Sequence, residues 1–320
     1  MFYSIIIPFY NAEKTIERCI KSILIQDFTD YEVLLVNDGS YDKSGEKVSA
    51  LIENDMRFTL INNKHAGVSH SRNTGISNVK GDFVMFVDAD DSLEPLCLKM
   101  IHDTILSEHC QILIFGYNTI KNNIKTPYVS ELISPVNTNT ALNALYTDCS
   151  VEGFSWNKVF SANMLLKYRF DEALSHCEDL VFNTILLSEC SQNVYVLPMP
   201  LYNYYQSNTS QTTHFFNDDM TFCYDPAFKK IESYLSTTGI KNNNEILTNV
   251  RHKYLEILQY TMYCLLTSKP FNSKNINVLK KLLFKNITRL LNDKHYKIRQ
   301  KMHYFILCIM PKLYAILKLR

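Results

Sequence analysis

Three carboxylates fall within four positions at Asp88, Asp90 and Asp91, directly after the apolar run Phe83-Val84-Met85-Phe86-Val87. A run so rich in β-branched and aromatic residues reads as a strand buried on both faces. Strand alternation puts Asp88 and Asp90 on one side and the small Ala89 on the other. Two like charges side by side at the end of a buried strand repel. A divalent cation with a polyphosphate on its far side resolves that repulsion. Helix capping is the plainer alternative: a helix over residues 93–107 would take Asp91 or Ser92 as its cap, which accounts for one acid and leaves the others unexplained.

The elements that position these acids follow from periodicity. A strand is expected over residues 3–7, ended by Pro8, with Phe9-Tyr10-Asn11 as a turn. Asn11 then caps a helix carrying Ile16, Cys19, Ile20, Ile23 and Leu24 at helical spacing. A second buried strand covers 31–36 and runs into the turn signal Asn37-Asp38-Gly39-Ser40, followed by a polar helix over about 42–54. A third strand at 58–61 leads to a short helix starting near Ser69 and ended by residues 78–81. Strands alternating with helices through short links predict a mostly parallel sheet with helices on both faces. In such a sheet a ligand sits at the carboxyl ends of the strands. Pro8 to Asn11, Asn37 to Ser40, His65 to Arg72 and Asp88 to Asp91 all fall at such ends. Asp38 is either an Asx-turn residue before Gly39 or an acceptor for a base or ribose. Arg72, in the first turn of its helix, is either a solvated helix residue or joins the helix N-terminus in holding phosphate, the reading its place at this edge favours.

Composition sets limits. The 320 residues suffice for about two domains, and the net charge of +1 gives no bulk electrostatic case for nucleic acid. Nine scattered cysteines, an odd number without C-x-x-C, fit neither a disulfide framework nor a zinc knuckle and suggest a reducing cytosol. The start, Met1 to Pro8, lacks a basic stretch, so no signal peptide is expected, and no apolar run reaches the roughly 20 residues of a spanning helix. Neither G-x-G-x-x-G nor G-x-x-x-x-G-K-[ST] is present, so a nucleotide would be bound without either fingerprint.

Four ordered segments, Ser4-Ile5-Ile6-Ile7-Pro8-Phe9-Tyr10-Asn11, Val36 to Asp42, Gly67-Val68-Ser69-His70-Ser71-Arg72-Asn73-Thr74-Gly75 and Val87 to Asp91, resemble those of the family 2 glycosyltransferases of the GT-A fold. The resemblance is strong over residues 2–120, extends to about 210 and is absent beyond. It implies a GT-A, nucleotide-diphospho-sugar transferase fold. It also implies a nucleotide-sugar site made by Pro8, Tyr10, Asp38, Arg72, Asp88, Ala89 and Asp90. The backbone at Pro8 and the Asp38 carboxylate would hold the base, Arg72 would lie near ribose and diphosphate, and Asp88 would contact ribose. Asp90, with Asp88 as a possible second ligand, would hold Mg²⁺ or Mn²⁺ bridging the donor diphosphate, where a Lewis acid neutralises charge on the leaving group.

The second half adds a strand over 112–117 and a polar, irregular stretch over 121–135. Gly153-Phe154-Ser155-Trp156-Asn157-Lys158-Val159-Phe160 resembles the family's W/C-N-K-L-Y/F segment, and Trp156 and Lys158 are carried over as acceptor-side or supporting residues. Trp156 is either a core ring or a stacking face for a sugar. His176-Cys177-Glu178-Asp179-Leu180-Val181-Phe182 resembles the family's E-D-x-x-F motif. An inverting transfer needs a carboxylate to deprotonate the acceptor hydroxyl; Asp179 is that candidate, and Glu178 orients it or meets the acceptor. The plainer role for Asp179 is a first-turn acid of a helix over 179–187. Tyr205 or Gln206 stands where the family commonly has an arginine, and His214 is either an exposed loop residue or a further metal ligand.

Helices are expected over 217–234 and 249–267, the latter with a stripe of Tyr254, Ile257, Leu258, Thr261, Met262 and Leu265. From Lys280 on, eleven lysines and arginines face one acid, Asp293. Basic and apolar residues so mixed suit an amphipathic helix on an anionic membrane surface, with packing onto the catalytic part as the alternative; Pro311 would interrupt any single long helix. The expected organisation is a catalytic domain over 1–215, divided into nucleotide-sugar binding (1–120) and acceptor binding (121–215), and a helical, basic region over 216–320. The expected activity is inverting transfer of a sugar, with UDP-sugar favoured, to a glycan or lipid-linked saccharide of a surface polysaccharide. The setting would be the cytoplasmic face of the membrane, with no nucleic-acid partner. Two rivals are a sugar nucleotidyltransferase, which Phe9-Tyr10-Asn11-Ala12-Glu13 does not suit because it lacks a glycine-rich basic loop, and an idle glycan-binding scaffold on the same fold.

Overall fold

The computed structural model describes residues 1–206, 224–240, 243–267, 273–292 and 298–309. Four parallel strands form its first half: β1 (Tyr3–Phe9), β2 (Tyr31–Asn37), β3 (Phe58–Asn62) and β4 (Phe83–Phe86), ordered β3-β2-β1-β4. The sheet continues through β8 (Lys158–Ser161), β6 (Ile112–Lys121), β9 (Val194–Tyr205) and β5 (Ser92–Leu93), with β7 (Ile124–Tyr128) also on β6. β8 runs antiparallel to both β4 and β6, so the sheet is parallel in its first half and mixed in its second.

Helices α1 (Ile16–Leu24), α2 (Ser44–Ile52), α3 (Val68–Ser77) and α4 (Cys97–Glu108) join the early strands. Helices α5 (Thr138–Thr147), α6 (Ala162–Leu165) and α7 (Glu178–Ser188) follow. Alternation along β1 sends Ile5 and Ile7 into a core with Ile16, Ile20 and Ile23 of α1 and Ile101 of α4. Ile6 points to the other face, where a Cβ on Gly75 of α3 would collide with it. On that face Phe86, Phe160, Phe170 and Phe182 pack ring against ring.

Several local expectations need correction. Pro8 lies inside β1, paired with Val36. Ile6 O accepts the Val87 N–H and Phe9 O accepts the Asp38 N–H, so alternation turns the missing Pro8 donor toward β4, beyond the last pair Ile6↔Phe86. No ladder bond is lost. Asn11, at φ 50°, is not a helix cap; its Oδ1 accepts the Tyr41 N–H (3.1 Å) and its N–H donates to Ser40 Oγ (3.0 Å), tying two strand-end loops together. The stretch over 121–135 contains β7, which pairs with β6 through a turn at Asn122-Asn123, both at positive φ as a type I′ hairpin requires. α4 starts at Cys97, too late for Asp91 or Ser92 to cap it.

The chain divides into two compact units, one of residues 1–207 and 233–246, the other of 208–232 and 247–320. Helices α8 (Tyr224–Thr237), α9 (Asn243–Thr267), α10 (Ser273–Asn292) and α11 (Ile298–Ile309) make up the described C-terminal part. Within α9, Tyr254, Leu258, Thr261, Met262 and Leu265 are buried, as the stripe predicts. Among the described residues, no helix is long and apolar enough to cross a membrane.

Candidate active site

At the end of β2, Asp38 is buried and its carboxylate is engaged by the loop after β3. Oδ1 accepts the Ala66 N–H and Oδ2 the Gly67 N–H, each at 2.9 Å, and Nδ1 of His65 lies 2.8 Å from Oδ2. Gly67 takes φ 97°, which a side chain rarely adopts, and a Cβ on Gly39 would sit 2.7 Å from His65 N. The His65 ring stacks on Tyr10 with centroids 4.2 Å apart. Tyr10, Asp38 and His65, from three of the polar strand-end clusters, therefore form one group.

The acidic strand end separates into different roles. β4 stops at Phe86, so Asp88 to Asp91 form a turn, closed by the Asp91 N–H to Asp88 O (3.1 Å), and strand alternation does not govern them. Asp91 is fully buried: Oδ2 accepts the Tyr202 hydroxyl and Oδ1 the Tyr205 N–H, both at 2.8 Å. It anchors the end of β9. Ala89 packs into the core. Asp90 is half-exposed, and among the described residues its carboxylate meets only its own N–H; burial and the neighbouring Asp88 push its pKa up to about 6, against that N–H and Arg18. Such a carboxylate, crowded by like charge and lacking a protein cation on its oxygens, is suited to a divalent ion. Among the described residues no three His, Cys, Asp or Glu side chains cluster into a metal cage, so Asp90 and Asp88 would leave most coordination positions to the ligand and water. His214 lies outside the described residues. Arg18, which the sequence did not single out, donates to Asp90 O and lies over the Tyr205 ring at 3.5 Å.

Arg72, on the second turn of α3, is buried among acids from two other elements. Nη1 reaches Asp179 Oδ1 at 2.6 Å and Glu178 Oε1 at 2.9 Å, and Nη2 reaches Asp88 Oδ1 at 3.3 Å. Burial opposes its charge, but Asp179, Asp88 and Glu178 raise its pKa above the ordinary arginine value. Glu178 and Asp179 begin α7 after Cys177, whose φ of 58° turns the chain into the helix. Burial pushes the Asp179 carboxyl up to about 7; Arg72 pulls it down, Glu178 adds to the rise, and the Ser155 N–H, 3.2 Å from Oδ2, opposes it. Asp88 is also raised, by burial and by Asp179, with Arg72 opposing.

Residues 4–161 match the model of the glycosyl transferase family 2. That segment belongs to glycosyl transferase family 2. The glycosyltransferase GlyA of Streptococcus pneumoniae is 31% identical over 177 residues, covering 52% of this chain and 25% of its own length. The uncharacterized glycosyltransferase EpsJ of Bacillus subtilis is 31% identical over 218 residues, covering 65% of this chain and 62% of its own. The chain thus spans less than two thirds of either relative. A solved structure of S. aureus TarS 1–349 in complex with UDP-GlcNAc superposes with a TM-score of 0.72 at 20% identity, covering 88% of this chain and 81% of that one. The fold is the GT-A fold.

In this glycosyl transferase domain Trp156 and Lys158 stand behind the acids. Trp156 is 3% exposed and sandwiched between Tyr202 (4.4 Å) and Phe154 (4.7 Å), so it is a core ring. The half-buried Phe154 and Tyr204 are the rings left nearer the surface. Lys158 is wholly buried; Nζ donates to Val151 O, Glu152 O, Phe154 O and Asn157 Oδ1, at 2.7–2.9 Å. Burial lowers its pKa to about 7 while Asp179 and Glu152 hold it up, and four acceptors around one nitrogen call for the ammonium. Lys158 thereby fixes the loop that presents Ser155 N–H to Asp179. Replacing Lys158 by Met strands those carbonyls, and urea unfolding should show a loss of about 3 kcal/mol. An unchanged midpoint would show that the loop needs no ammonium.

Proposed function

We propose that the chain is an inverting, metal-dependent glycosyltransferase that moves a sugar from a UDP-sugar to a hydroxyl of a glycan or lipid-linked acceptor in surface-polysaccharide synthesis. The observation that carries this is Asp179: a buried carboxylate raised toward neutrality at the start of a helix, linked through Arg72 to Asp88. UDP is favoured because the fold neighbour TarS holds UDP-GlcNAc. On this reading residues 1–120 take the donor, with Tyr10, Asp38 and His65 around the base, and 121–215 take the acceptor. Asp90 and Asp88 would hold Mn²⁺ or Mg²⁺, which when bound neutralises charge on the leaving diphosphate. Asp179 accepts the acceptor hydroxyl proton as that oxygen attacks the anomeric carbon opposite the diphosphate. One displacement inverts the centre, so an α-linked donor gives a β-linked product. Calorimetry tests the donor side: UDP should bind with Mn²⁺ and weaken by at least about tenfold with EDTA or with Asp90→Asn. Binding of no nucleotide to folded protein would favour the idle scaffold.

The base assignment has a pH signature. A carboxyl with a pKa raised to about 7 is protonated below that pH and cannot accept a proton, so transfer should fall about tenfold per pH unit on the acid side of 7. Asp179→Asn should remove about a thousandfold of transfer above pH 7, a gap that narrows as the pH falls below 7, while UDP still binds. Transfer that survives this substitution would assign the base elsewhere.

The basic C-terminal region is assigned to an anionic membrane at its cytoplasmic face. α11 buries Tyr304, Leu307 and Cys308 but exposes Ile298, Met302, Phe305 and Ile309, spaced as one stripe, and α10 exposes Lys281 and Lys285. The full chain should float with phosphatidylglycerol vesicles and not with phosphatidylcholine vesicles, and Met302→Glu with Phe305→Glu should abolish flotation. Equal flotation with both vesicle types, or none, would overturn the assignment.

A further inference from the structure

We infer that Arg72 is a positioning residue for the base Asp179 rather than a clamp for the donor diphosphate; this rests on the glycosyltransferase reading above. The family resemblance would place this arginine beside the diphosphate, but the structure turns it inward. The residue is 4% exposed, its guanidinium faces three carboxylates, and one ring, Phe170, lies 5.2 Å from Cζ. Both Asp179 oxygens are held from the protein side, Oδ1 by Arg72 Nη1 and Oδ2 by the Ser155 N–H. Two anchors on a three-atom carboxylate fix its plane, and the side chain is still 17% exposed, so an incoming hydroxyl can reach it. Glu178 shares Nη1, so it sets the guanidinium as the guanidinium sets Asp179. The opposite edge of the fork reaches Asp88, which ties the base to the donor-side acid through one rigid planar group.

A planar fork explains why lysine would not substitute fully. One ammonium on a flexible stem can meet Asp179 and Glu178 but cannot span to Asp88 in the same geometry. Arg72→Lys should therefore recover part of what Arg72→Met loses.

The test compares these variants and Asp179→Asn in the full chain with Mn²⁺. UDP and uridine are titrated by calorimetry, and UDP release is followed from a panel of UDP-hexoses. A positioning role predicts that Arg72→Met keeps the ratio of UDP to uridine affinity within about threefold and lowers kcat about a hundredfold with donor KM nearly unchanged. It also predicts little further loss when Arg72→Met is added to Asp179→Asn, because both act at one carboxylate. A diphosphate clamp predicts the opposite: the preference for UDP over uridine collapses, and the two substitutions multiply. That result, or an Arg72→Lys variant as active as wild type with an unaltered kcat for Arg72→Met, overturns the inference. If Arg72→Met fails to fold, the affinity ratio and kcat of Arg72→Lys decide. A wild-type chain that binds neither UDP nor any other nucleotide would instead sink the underlying glycosyltransferase reading.

Discussion

One buried cation among three carboxylates constrains the catalytic half of this protein. Asp88 arrives from the turn after β4, Glu178 and Asp179 from the start of α7, and Arg72 from α3. At about 4 Å and an effective dielectric near 20, each charge pair is worth about 4 kcal/mol, so one guanidinium cannot neutralise three acids at once. Burial, opposed by Arg72, shifts Asp179 and Asp88 toward their protonated forms, and the surplus negative charge favours any cation that comes within reach. The arrangement requires α3, β4 and α7 to keep register. Gly75 supplies part of that register, because only a glycine lets α3 approach β1 at Ile6.

Other buried polar groups here act as loop fasteners, and their satisfied hydrogen bonds distinguish them from the reactive ones. Asp38 captures the 65–67 loop, Asp91 captures the end of β9, and Lys158 captures residues 151–154. Each exchanges the cost of burying a polar group for the order of a loop or a strand end. Asp90 and Asp179 differ. Among the described residues Asp90 has no hydrogen-bond partner beyond its own amide, and Asp179, though anchored at both oxygens, keeps part of its side chain exposed.

What was legible in the sequence was whatever depends on neighbours in the chain. The apolar run before Asp88 reads as a strand, alternating strands and helices give the parallel half-sheet, and Glu178-Asp179 opening a helix is visible in the motif. What was not legible depends on distant partners. Asp91 looked like a cap because its partners Tyr202 and Tyr205 lie more than a hundred residues away. Arg18 gave no signal, since it looks like a solvated helix residue until β9 brings Tyr205 beneath it. Pro8 was read as a strand end because the early finish of β4 beside it cannot be seen from β1 alone. The β6–β7 hairpin carries a local signal, Asn122-Asn123, inside a stretch whose composition is otherwise polar and irregular.

The aromatic rings show how the two acidic sites share one frame. The Tyr202 hydroxyl accepts the Asp88 N–H and donates to Asp91, fixing the acidic turn from behind. The same ring stacks on Trp156, which stacks on Phe154, and Phe154 precedes the Ser155 whose N–H holds Asp179. Stacked rings at close-packed density give little room for independent movement. Asp88 and Asp179 are therefore linked twice, by the guanidinium on one side and by a run of packed rings on the other. A transfer that must align an attacking hydroxyl, an anomeric carbon and a leaving diphosphate needs both ends of that line held by the same body. On the proposed reading the single tryptophan would act from within the core, by setting the distance between groups it never touches.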